Sequence, residues 1–315
     1  HAEMWGKALP YLRQAGMKAA TRSAHREAAG YFERALAALA HLPESRETIE
    51  QAIDLRLALR NSLHAIGAFP RTTGPLREAE RLAEGLDDQL RLGRVSACLC
   101  QYFRQTDDLE QAVALGQRAL TIATALGDFV LKLLSGIALG QAYHAFGDYP
   151  RAIECLRNNM SALGVDAVAG ASSGANRIRE RFGLVALPSV FSLAWLGRCL
   201  AELGEFNDAI AEAEAAVRVA EEVDHPFSLV TACYGAGAVH LRKGNLEPAV
   251  HQLERAVGLC SVWNFRSWFP PIASALIILF YLFAHNRLMS GLAFASAMIA
   301  TVVGVRALGA LMDGD

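Results

Sequence analysis

One turn, repeated at a fixed interval, constrains what this chain can fold into more than any other feature. In YHAFGDYPRAIECL, Tyr143 to Leu156, a helical pattern stops at Gly147 and restarts at once with Asp148 and Pro150. Glycine ends a helix in the left-handed conformation at no steric cost. Aspartate caps the free N–H groups of the next helix, and proline suits its first turn. The break recurs 40 residues upstream at Asp107 and 40 further at Gly67. Downstream it stands at Gly204 and again, 40 later, at Gly244. The 57 residues from 147 to 204 leave 17 more than the period, which places an insert there.

Other columns keep the same register. Seven residues before the turn stand Gly140, Gly197 and Gly237, and four before it Leu63, Phe103, Tyr143, Leu200 and His240. Five after it stand Ala112, Ala152, Ala209 and Ala249, then seven on Ala119, Ala216 and Ala256, with Asn159 as the exception. Small residues at fixed places let two helices approach closely, and the large ones between them fill the groove. Alanine and leucine abound and β-branched runs are scarce, which favours helix throughout. The expected fold is all-α: a right-handed α-solenoid of helix hairpins over residues 1–270, with turns near 23, 67, 107, 147, 204 and 244 and a flexible insert at 164–180.

The spacing of Leu139-Gly140, Tyr143 and Ala152, and of Gly197, Ala209 and Ala216, resembles the tetratricopeptide repeat. Gly16, Ala28, Phe32 and Ala35 fit as an earlier unit. Segments 41–63, 180–206 and 224–237 further resemble the repeat region of large bacterial proteins that join a class III adenylate/guanylate cyclase domain, an AAA-type ATPase domain and a C-terminal tetratricopeptide array. That resemblance covers roughly residues 1–276. It implies a regulatory, protein-interacting part of a nucleotide-signalling protein, with the cyclase and ATPase domains as upstream partners. The chain opens on His1 within a helical pattern, so a fragment of a longer protein is expected.

Charge is nearly balanced, 30 Lys+Arg against 32 Asp+Glu, so no global field draws the chain to nucleic acid. The six cysteines form no CxxC and have no histidines at metal spacing; they read as small buried hydrophobes in a reducing compartment. No nucleophile, metalloprotease, Walker or kinase motif is present, and Gly170-Ala-Ser-Ser-Gly174 lacks the lysine of a phosphate loop. Neither enzyme activity, cofactor nor metal is expected. Asp87-Asp88 and Glu221-Glu222 read as solvated helix ends, and Trp263 and Trp268 as packing at a helix junction. Arg177, Arg179 and Arg181 serve either an acidic partner or a solvated loop edge.

What remains is a groove. In such arrays the first helix of each hairpin lines the concave side. Counting one, four and five residues on from the glycine column gives Asn61 and His64; Gln101, Arg104 and Gln105; Gln141 and His144; Arg198; and Arg242. This polar strip could clasp an acidic or C-terminal segment of a protein or peptide partner, since arginine forks bind carboxylates in pairs of hydrogen bonds. Residues 271–315 depart from the pattern. Leu288 to Val305 carries no charge and just reaches the lower limit for a bilayer-spanning helix. Two readings stay open: a membrane anchor within 272–305, or a last repeat that has diverged or had its reading frame changed. The expected location is the cytoplasm, or a membrane surface on the first reading.

Overall fold

The computed structural model describes residues 2–22, 24–164, 177–182, 184, 186–263, 265 and 268–286. Among them run six successive helix hairpins: α1 (Ala2–Thr21) with α2 (His25–Leu39), α3 (Arg46–Ala65) with α4 (Thr73–Gly85), α5 (Gln89–Gln105) with α6 (Leu109–Leu126), α7 (Phe129–Phe146) with α8 (Tyr149–Ala162), α9 (Pro188–Glu202) with α10 (Phe206–Val223), and α11 (Pro226–Lys243) with α12 (Leu246–Trp263). A last helix, α13 (Phe269–Asn286), follows. No strand occurs among the described residues. Each helix packs on the next in sequence, and α3, α5, α7, α9 and α11 also pack on one another in turn as an inner layer. The result is an α-solenoid of tetratricopeptide-like hairpins.

The turns explain the period. Left-handed backbone occurs at Gly67, Asp87, Asp107, Gly127 and Gly147, then at Gly204, Asp224 and Gly244. Within each run these positions lie 20 residues apart, so the 40-residue period is two equal steps. Four consecutive turns, those ending at Asp88, Asp108, Asp128 and Asp148, share one chemistry. At Gly147 the following N–H, of Asp148, reaches back to the Tyr143 carbonyl (2.9 Å), closing the first helix. The same Asp148 accepts the Arg151 N–H (3.2 Å), opening the second. Asp88, Asp108 and Asp128 cap α5, α6 and α7 in the same way. Asp87-Asp88 lies between the ends of two helices, with Asp87 exposed in the turn and Asp88 capping α5.

The alanine columns form the spine. Ala112, Ala152, Ala209 and Ala249, and likewise Ala119, Ala216 and Ala256, are all 0 % exposed. Asn159 breaks the second column and is nearly as buried. Its amide donates to the Leu133 carbonyl (3.0 Å), and it fills the space that any side chain at Gly136 would need. A buried polar group keeps its hydrogen bond here because the facing helix gave up a Cβ.

The described end of the insert, residues 177–180, makes contacts with the array. Arg177–Arg179 form a 3-10 turn, so residues 177–180 are not the loose segment the sequence implies. Arg179 pairs with Glu222 on α10, and Arg181 contacts His225. Ser189 Oγ donates to the Ile178 carbonyl (2.5 Å), and the Leu187 N–H donates to Ser228 Oγ (3.0 Å). Of these arginines Arg179 is neutralised within the chain, while Arg177 lies over the Phe129 ring (5.4 Å). Residues 165–176, the rest of the expected insert, lie outside the described residues.

No helix among the described residues is long and apolar enough to cross a membrane. Of the segment 272–305, residues 272–286 belong to α13 and the remainder lies outside the described residues. α13 buries Ile272, Ala275 and Leu279 on one stripe and leaves Ile277 and Ile278 half exposed. Of the two tryptophans expected at a junction, Trp268 packs edge-on or tilted against Phe191, Phe227 and Tyr234, while Trp263 is 41 % exposed.

Candidate functional site: the concave cavity

Helices α3, α5, α7, α9 and α11 turn one face inward around a cavity of about 920 Å³, closed at its ends by residues of α1 and α13. That is within the range of ligand pockets. Of the nine residues expected to form a groove, Asn61, His64, Gln101, Arg104, Gln105, Gln141 and Arg198 line it. Two do not. Arg242 is drawn away by the Glu202 carboxylate one hairpin back, which its guanidinium holds through both Nε and Nη2. His144 lies behind the wall, edge-on to Trp195 (5.1 Å) and to Tyr149 (5.5 Å).

One half of the cavity is cationic. Among the described residues Arg13, Arg60, Arg94, Arg104 and Arg198 line it against a single carboxylate, Asp54, and that carboxylate already holds Arg91 (2.8 Å). Arg60 is 7 % exposed, and its hydrogen bonds go to neutral oxygens, Gln101 Oε1 (2.5 Å) and Asn61 Oδ1 (3.1 Å). Arg104 has its Nε enclosed with no hydrogen-bond partner. Its guanidinium lies 5.7 Å from the Trp195 ring centre, and that of Arg198 lies 4.1 Å from the same ring. Burial, reinforced by Arg198 and Arg60, brings the Arg104 guanidinium down to about 10. It stays charged at neutral pH, enclosed with like charges and no counter-ion.

The other half is aromatic. Arg198 also lies over the Tyr234 ring (5.3 Å), Tyr234 meets Trp268 edge-on (5.8 Å), and Trp268 adjoins Phe227 (6.1 Å) and Phe191 (6.4 Å). All of these line the cavity, with Phe182 from the insert. Counting forward from the glycine column missed Arg60, Trp195 and Tyr234. Arg60 occupies that column itself, and the two aromatics lie two and three residues before it. Extending the inward face toward each helix N-terminus in steps of three and four reaches them.

Among the described residues no group of three His, Cys, Asp or Glu side chains could hold a metal. All six cysteines are free, and burial pushes the Cys100, Cys199 and Cys260 thiols up to about 12, which makes them poor nucleophiles.

Burial also depresses five histidines, His25, His64, His144, His225 and His240. His144 falls to about 3, with Arg198 and Arg104 adding repulsion, and His225 falls to about 4 beside Arg181. His64 moves in the same direction between Arg60 and Arg104. The unfolded chain binds these protons first, near 6.5. Stability is therefore complete above that value and falls as pH drops toward 4. Unfolding free energies from urea titrations at pH 7.5 and pH 5 should differ by about 1 kcal/mol each for His144 and His225, after allowing for solvent. The difference should shrink in the double variant His144→Gln, His225→Gln. Equal free energies at both pH values in the parent would refute this assignment.

The tetratricopeptide repeat family model matches residues 137–166, the α7–α8 hairpin. No curated protein matches the sequence significantly. Solved structures similar in fold include a Rap protein complexed with competence and sporulation factor (TM-score 0.69, 13% identity, covering 96% of this chain and 76% of that one). Another is the Rap conjugation gene regulator of plasmid pLS20 in complex with the Phr* peptide (TM-score 0.67, 14% identity, 97% and 75%). A third is PH0952 from Pyrococcus horikoshii, a signal transduction ATPase with numerous domains that has a tetratricopeptide repeat sensor (TM-score 0.57, 15% identity, 95% and 43%).

Proposed function

We propose that this chain is a peptide-binding interaction module and that the concave cavity is where the partner segment sits. The observation that carries this reading is the cationic wall of Arg60, Arg104 and Arg198 lining the cavity, where no carboxylate among the described residues pairs with any of the three. A charge removed from water without a counter-ion costs several kcal/mol, and a ligand that supplies the counter-ion recovers it. Two structures of like fold hold a signalling factor or a peptide, by their descriptions, which supports a peptide over a small metabolite here. Nothing in the cavity is arranged for turnover, so the output of binding is a change in the array or in what it is joined to.

The test is selection from a displayed library of random peptides, followed by titration of the enriched sequences. The combined substitution Arg60→Ala, Arg104→Ala, Arg198→Ala should lower their affinity at least 100-fold, while Arg242→Ala leaves it unchanged. Equal binding by the triple variant would remove the cavity as the site.

The finer reading is that the module regulates a nucleotide-signalling protein. The sequence resemblance to cyclase–ATPase repeat regions supports it, as does the likeness to an array described as the sensor of an ATPase. A cyclase or ATPase domain encoded in the same reading frame, whose turnover changes when an enriched peptide is added, is the expected result. Turnover indifferent to the peptide would refute it.

A further inference from the structure

The proposed peptide site has two chemically different halves, and they adjoin. A single chain of ring contacts joins them: Arg104 to Trp195, Trp195 to Arg198, Arg198 to Tyr234, Tyr234 to Trp268. Arg198 is the seam, since its guanidinium touches the ring that carries Arg104 and the ring that begins the aromatic shelf.

Resting on the peptide reading above, we infer that the ligand presents a carboxylate with a bulky apolar side chain immediately beside it. The carboxylate docks on Arg104 and Arg198, and the apolar group lies on Tyr234, Trp268 and Phe227. Two observations make the first half an oxyanion site. Arg104 Nε is enclosed and has no partner, and the one carboxylate that lines the cavity among the described residues, Asp54, is taken by Arg91. Guanidinium donors match a carboxylate's two oxygens, and partial burial strengthens that contact. Arg60 backs the site with its charge but is already committed to Gln101 and Asn61, so it stays in place when the anion arrives. Among the described residues the second half carries no charged side chain beyond Arg198 and offers ring faces and edges, which suit an aliphatic or aromatic group. A strongly acidic peptide without an apolar neighbour would leave the shelf wet. An apolar peptide without the carboxylate would leave the arginines uncompensated.

The carboxylate can come from an Asp or Glu side chain or from the peptide's own C-terminus, and the test separates them. Random hexapeptides are selected on the full chain in two libraries, one with free C-termini and one amidated. Enriched sequences should pair an acidic group with an adjacent Leu, Ile, Phe, Tyr or Trp. If both libraries give internal Asp or Glu, the side chain is the source; if only the free-ended library enriches, the terminus is. The halves should then fail separately. In Arg104→Gln the preference for the anion should fall at least 10-fold while the apolar preference persists. In Trp268→Ala the apolar preference should fall while the anion preference persists. Tyr234→Ser provides the second shelf variant should Trp268→Ala lose the α13 junction, checked by its thermal unfolding. Enrichment of neutral or basic peptides by the parent, or loss of both preferences together in a folded variant, overturns this inference and leaves the peptide reading standing. Enrichment of nothing from either library overturns both.

Discussion

Replacing Arg104 with methionine should make the ligand-free chain more stable. A side chain deleted from a core ordinarily costs stability, so the sign is the informative part. Arg104 has an enclosed Nε with no partner and two arginines as neighbours. Its remaining favourable contact is with the Trp195 ring at 5.7 Å, worth roughly 1–2 kcal/mol for a desolvated pair. Against that stands the effective penalty of taking a charge out of water, several kcal/mol even after relaxation. Methionine keeps most of the volume, adapts to irregular space and retains a sulfur–ring contact with Trp195. The expected net gain is about 1–2 kcal/mol, read as a higher urea midpoint at pH 7.5. Peptides enriched by the parent should at the same time bind Arg104→Met at least 10-fold more weakly. A destabilised Arg104→Met would mean that the arginine is compensated within the chain, and the anion site would lose its main support. Opposed effects on stability and binding are the usual mark of a residue kept for function.

Gly197→Val should be the most damaging single change in the array. A Cβ built at Gly197 lies 2.8 Å from the Ala209 carbonyl oxygen and 3.4 Å from the Ala213 amide nitrogen. Both are backbone atoms, so no side chain can swing aside, and α9 must part from α10. Overpacking of this kind costs about 1–3 kcal/mol and more where the neighbour cannot yield, so about 3 kcal/mol is expected. The same helix is pinned on its other side, where a Cβ at Gly235 would meet Ala194 at 2.9 Å, so displacing α9 also loosens α11. Gly258 is the control. It is exposed in the middle of α12 with nothing within 4 Å of a built Cβ, and Gly258→Ala should stabilise by about 0.5–1 kcal/mol through helix propensity alone. Repeat arrays are held by neighbour contacts, so the damage should be local. Amide exchange in Gly197→Val should rise first in α9, α10 and α11 while α3 to α6 keep their protection. Uniform loss along the chain would show instead that the array unfolds as one unit.

The hairpins were legible in the sequence because their signals are local. Gly147, Asp148 and Pro150 end one helix and start another through conformational and capping preferences that need no neighbour, and the alanine columns carry the close packing at fixed spacing. The 20-residue step was harder to see, since at 87 and 224 the left-handed position is filled by aspartate, which tolerates that backbone less obviously than glycine does. The inward face was legible as a direction. Seven of the nine groove residues line the cavity because helix periodicity alone orients them. Arg242 fell outside for a reason no periodicity carries: Glu202 on the neighbouring hairpin reaches it first. The aromatic half was missed because its members come from α9, α11 and the start of α13, and only folding brings them together.

By itself the sequence determined the helices, their breaks, their period and the small-residue spine, all of which follow from the preferences of residues a few positions apart. Only the tertiary structure decided which charges are neutralised and which are not. Arg242 and Arg104 belong to the same class of inward-counted arginine, yet one has a carboxylate and the other has open volume. Coulombic pairing depends on distance in space, and helices stacked side by side set that distance across dozens of intervening residues.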